Sequence, residues 1–71
     1  MVINMVYNVY ISQDGEELLK DKFKGKDSAI TFAEYLWNEN KQNPYVNVWV
    51  ENYKGKIIWD SDNINNKNRK T

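Results

Sequence analysis

The sequence predicts an α+β domain of order ββαββ, a four-stranded antiparallel sheet with one helix packed on one face. Three observations carry this. Two apolar runs each end in a glycine turn, Ser12-Gln13-Asp14-Gly15 and Asn52-Tyr53-Lys54-Gly55, which is how β-hairpins are marked. Between them lies one segment with apolar residues at helical spacing, closed by Asn43-Pro44. The chain of 71 residues has length for one such unit, near the small end of what folds alone.

In the first strand Ile3, Met5, Tyr7, Val9 and Ile11 alternate with Asn4, Asn8 and Ser12, so the odd positions form the buried face. Asp14-Gly15 admits two registers. A two-residue type I′ turn pairs Gln13 with Glu16 and sets Val9 opposite Lys20 and Tyr7 opposite Lys22, burying charge against the apolar face. A turn with Gly15 as a bulge pairs Ser12 with Glu16, so that Val9 faces Leu19, Met5 faces Phe23, Tyr10 faces Leu18 and Asn8 faces Lys20. The second keeps the lysines off the core and is the expected register.

Gly25 ends the second strand, and Asp27 or Ser28 offers an oxygen to the free amides of a helix from near Ala29 to about Lys41. Ala29, Phe32, Ala33 and Leu36 share one helix face, with Ile30 and Trp37 widening it. Phe32 and Leu36 are the expected anchors, meeting Val9, Leu19, Val48, Val50 and Ile58. Pro44 cannot continue the helix, because it lacks an amide proton and pushes Asn43 out of helical geometry.

Val46, Val48 and Val50 then alternate with Tyr45, Asn47, Trp49 and Glu51, which buries the valines. Counting across the second turn in bulged geometry pairs Asn52 with Lys56, Val50 with Ile58 and Trp49 with Trp59. The two tryptophans are thus expected to share the face away from the helix. Periodicity leaves open whether the third or the fourth strand lies beside the first. Residues 1–60 form the expected domain, and 61–71, with Ile64 as their only large apolar residue, form an expected disordered polar and basic tail.

Composition narrows function more than any motif does. The chain has no Cys and no His, which removes thiolate nucleophiles, imidazole bases and the usual transition-metal ligands. Its carboxylates offer no acid and base pair: Glu34 and Glu39 fall on different helix faces, and Asp60 and Asp62 flank a strand end. Asp60, Asp62 and Asn63 superficially resemble a calcium loop but lack its glycine and terminal glutamate. A non-enzymatic protein without cofactor or metal is expected. Ten basic side chains balance ten acidic ones, so charge alone does not select a partner. No apolar run approaches the roughly 20 residues that span a bilayer, and no basic, signal-like start precedes the first strand; a cytoplasmic protein without membrane contact is expected. The recurrence of Asn, Lys and Ile is the bias of AT-rich coding sequence, as in low-GC bacteria and their phages and plasmids.

The candidate binding residues are those the pattern turns away from the helix: Tyr10, Leu18, Tyr45, Trp49, Ile57 and Trp59. Several large aromatics left to water on one face usually mark an interface, and the expected partner is another protein or a second copy of the chain. A cross-strand tryptophan pair that only stabilises its hairpin is the plainer account of Trp49 and Trp59. Lys20 and Lys22 on the same face add an alternative, single-stranded nucleic acid with bases stacked on the rings and phosphates on the ammonium groups. Lysines on an edge strand more often prevent edge-to-edge pairing.

Overall fold

Strands β1 (Tyr7–Gln13), β2 (Glu16–Phe23), β3 (Val46–Glu51) and β4 (Ile57–Asp60) form one antiparallel sheet, and helix α1 (Lys26–Asn40) lies between β2 and β3 in the chain. The structure, a computed structural model, describes residues 5–62. The strand order is β2-β1-β3-β4, so the third strand is the one beside the first. The reason lies in the side chains: β1 and β3 carry the apolar residues that the core needs, and pairing them places Val9 opposite Val50 and Ile11 opposite Val48 at the sheet centre. The charged β2 and the short β4 take the edges, where water solvates them.

Helix α1 covers this centre with Ala29, Ala33 and Leu36, all buried. Two alanines at the contact bring the helix axis close to the valines, and Leu36 is its one large buried side chain. Phe32, Trp37, Tyr7, Phe23, Ile58 and Trp59 pack partly buried around the margin. The helix begins at Lys26, two or three residues earlier than Asp27 or Ser28 as cap would allow, with Gly25 at the N-cap and no side-chain capping bond. Its first turn closes through the Ala29 amide, which donates to the Gly25 carbonyl at 3.1 Å. Asp27 instead stands inside the first turn, where its carboxylate meets the positive end of the helix dipole. Among the described residues no helix is long and apolar enough to cross a membrane.

The first hairpin departs from the expected register. Asp14 and Gly15 both have positive φ, 54° and 86°, which is the type I′ turn whose twist suits a two-residue hairpin. Gln13 therefore pairs with Glu16, Ile11 with Leu18 and Tyr10 with Leu19. The charge placement that argued against this register is relieved in part further along, where Tyr7 meets Phe23 instead of Lys22 while Val9 still faces a charged residue, Asp21, which stays exposed on the edge strand. Lys20 is bulged out of the ladder, and beyond it Val9 faces Asp21, Asn8 faces Lys22 and Tyr7 faces Phe23. Leu18 and Leu19 thereby exchange their expected faces, and Met5 does not pair with Phe23.

The second turn has the expected form. Gly55 has φ 81°, the Asn52 amide donates to the Lys56 carbonyl at 2.8 Å, and Asn52 Oδ1 accepts from the Lys54 and Lys56 amides at 2.9 and 3.0 Å. Ile57 pairs with Glu51. A second bulge, at Ile58, then shifts the ladder so that Trp59 faces Val50 and Asp60 faces Trp49. The Trp49–Trp59 pair does not form, because one extra residue inverts every side chain after it. Ser61, placed by the sequence pattern in the tail, belongs to the packed unit. It is fully buried, and its Oγ accepts a hydrogen bond from the Val48 amide at 3.0 Å. The remainder of the expected tail, 63–71, lies outside the described residues.

Candidate functional site

The helix covers one side of the sheet, and among the described residues no element covers the other. Strand alternation and the two bulges lay the outer face out in rows that cross all four strands. Leu19, Tyr10, Trp49 and Asp60 make the central row, and Lys22, Asn8, Glu51 and Ile57 the next. Glu17, Ser12 and Asn47 make a third, toward the first turn.

At the centre Tyr10 and Trp49 stack with ring centroids 5.5 Å apart and planes 14° from parallel. The Trp49 indole N–H donates to Glu51 Oε2 at 2.9 Å, which fixes the ring about the axis that stacking leaves free. One face and the polar edge of the indole are thus committed within the protein. Leu19 flanks it on β2 and Ile57 on β4, 45% and 50% exposed.

Toward the end of β4 this face deepens into an open hollow of about 530 Å³. Its buried lining is Val48 and Ser61, tied by the amide-to-hydroxyl bond already described, and Trp49 and Ile57 supply its apolar surface. Three carboxylates also line it, those of Glu17, Asp60 and Asp62, whereas among the described residues no Lys or Arg does. They are spread rather than gathered: among the described residues no three acidic side chains group closely enough to hold a metal ion.

Of the residues expected to bind, Tyr10, Trp49 and Ile57 lie on this face. Leu18 does not, because it pairs with Ile11 on the helix side, and Trp59 packs against the core beside Val50. Tyr45, 71% exposed, precedes β3, its amide donating to Asn43 Oδ1 at 2.9 Å. Lys22 stands one row from the stacked rings opposite Asn8, and Lys20 is the bulged residue of the edge strand. Leu19, Glu17 and Asp60 are the face residues that sequence reasoning missed, and Glu51, expected on this face, was not among the expected binding residues. Accepting the type I′ turn at Asp14-Gly15 brings Leu19 beside Tyr10, whereas no local signal announces the bulge that brings Asp60 to Trp49.

A second aromatic strip runs along the other side, where Phe32 lies 5.3 Å from Phe23 and 6.3 Å from Tyr35. Phe23 and Phe32 are half-buried against the core, so this strip seals the margin between α1 and β2. Comparison with family models, with curated proteins and with solved structures finds no match.

Proposed function

We propose that this chain is a small non-enzymatic interaction module that binds a protein partner through its open sheet face, acting in the cytoplasm as an accessory or inhibitor protein of a phage or other mobile element. The observation that carries the reading is the Tyr10–Trp49 stack, pinned by Glu51 and flanked by exposed Leu19 and Ile57 on a face with no covering layer. Rigid aromatic anchors lose little entropy on binding and dominate the energetics of protein interfaces. Absence of Cys and His from the chain supports the non-enzymatic part, since neither a thiolate nor an imidazole is at hand to activate a nucleophile near neutral pH.

Charge favours protein over nucleic acid. Glu17, Glu51 and Asp60 stand on the face against Lys22, which repels the phosphates that supply most of the affinity for a nucleic-acid strand. Affinity capture from the native host tests the reading. Trp49→Ala and Tyr10→Ala are expected to weaken the captured complex by about 2 kcal/mol each, roughly thirtyfold. Tyr35→Ala, on the far side of the molecule, should leave it unchanged. Equal capture by all variants would refute the face as an interface. Sedimentation of the purified chain tells whether the partner is a second copy. Micromolar binding of short single-stranded oligonucleotides that falls steeply with salt and needs Trp49 and Lys22 would replace the reading with the nucleic-acid one.

A further inference from the structure

The rows of the open face are self-complementary about a line that crosses the strands. We propose that the partner docked on this face is a second copy of the chain, packed sheet to sheet about a two-fold axis along the central row, an inference that rests on the interaction reading above and names its partner.

In a two-fold interface each side chain on the axis meets its own counterpart, and each side chain off the axis meets the residue reflected across it. The axis runs through Leu19, Tyr10 and Trp49, apolar and aromatic residues that pack favourably against themselves. It brings the two Tyr10–Trp49 stacks together at the centre, where the dominant contacts of interfaces sit. Off the axis, the neighbouring rows answer each other on three strands. On β2, Lys22 stands one row to one side of Leu19 and Glu17 one row to the other, so each meets the opposite charge of the second copy, and symmetry forms the ion pair twice. On β1 Asn8 comes opposite Ser12, and on β3 Glu51 comes opposite Asn47, a donor facing an acceptor in both cases. A two-fold axis parallel to the strands, between β1 and β3, does worse, because it sets Lys22 over Ile57 rather than over a carboxylate. Asp60 meets its own counterpart only at the rim, on edge strand β4, where water screens like charges. With ten basic and ten acidic side chains in the chain, two copies carry no net repulsion at long range. Four strands about 4.8 Å apart and three rows about 6.8 Å apart give a face of roughly 400 Å² per copy. A dimer then buries roughly 800 Å² in all, the size of a weak and reversible interface.

The test is sedimentation equilibrium of the purified full chain, from about 10 µM to about 1 mM. A reversible monomer–dimer equilibrium is expected, with a dissociation constant of about 100 µM. Trp49→Ala should weaken it by about tenfold or more. Lys22→Glu and Glu17→Lys, both at exposed positions, should each weaken it by roughly tenfold, since each sets like charges opposite one another in two contacts. The double reversal should return it to within about threefold of the parent. Within one copy the two side chains lie about 14 Å apart along β2, beyond the reach of screened charge, so recovery in the double variant reports pairing between copies. A parent chain that is monomeric at about 1 mM, a dimer unmoved by Trp49→Ala or by the single reversals, or a double variant no tighter than the single ones would overturn the proposal, and the first of these needs no variant to fold. If the parent is monomeric and Trp49→Ala abolishes capture of a different protein from the host, the interaction face stands and the second copy falls. If the parent is monomeric and Trp49→Ala leaves capture unchanged, both fall.

Discussion

Replacing Leu36 by Ala is expected to remove most of the net stability of this domain, about 2–5 kcal/mol. Leu36 is the one large buried side chain that α1 inserts between the valines of β1 and β3, with Ala29 and Ala33 beside it. Neither alanine can move to fill the space it leaves. A domain this small holds only about 3–5 kcal/mol in reserve, so urea unfolding followed by tryptophan fluorescence and circular dichroism should show the transition lost or moved to very low urea. Tyr35→Ala, at the preceding position and 58% exposed, should stay within about 0.5 kcal/mol of the parent. A Leu36→Ala chain with the parent's midpoint would mean that α1 does not pack as described.

Ser61→Ala is expected to cost about 1–3 kcal/mol, far more than a serine after the last strand would ordinarily contribute. The backbone ladder between β3 and β4 ends at Trp49 and Asp60, and the next β3 amide, that of Val48, finds its partner in the Ser61 hydroxyl. Both residues are fully buried, so removing the oxygen leaves the Val48 amide without its protein partner at the floor of the hollow. Denaturation measures the cost. Hydrogen exchange identifies its cause, because the Val48 amide should lose protection beyond what the global change explains. Asp62→Ala, one residue on and exposed, should be near neutral. Equal stability of the two variants would contradict the role given to Ser61.

The elements were legible in the sequence because each has a local cause. Glycine at Gly15 and Gly55 supplies positive φ where the chain reverses, Pro44 stops the helix, and the valines at positions 46, 48 and 50 repeat at the period of a strand. Tyr10 and Trp49 were legible as outward residues for the same reason, being out of phase with Val9 and Val48. What failed were the register of the first turn and the positions beyond a bulge. Lys20 and Ile58 each leave the ladder on an edge strand, and bulging there answers to the packing and twist of the whole sheet rather than to neighbours in the chain. A regular count past Ile58 therefore sent Trp59 outward, whereas Leu19 was sent inward by the choice of a bulged turn over the type I′ turn at Asp14-Gly15. The acidic character of the hollow was hidden for a related reason: Glu17, Asp60 and Asp62 are far apart or unremarkable in sequence, and only the strand order β2-β1-β3-β4 brings them around Trp49.

Site-specific photo-crosslinking in the native host tests the interaction face most directly. A benzophenone amino acid at position 19 or 57, on the outer face, and at position 35, on the helix, reports which side of the molecule a partner touches. The account predicts a covalent adduct of defined mass from 19 and from 57, abolished by Trp49→Ala, and none from 35. An adduct from 35 with none from 19 or 57 would contradict it.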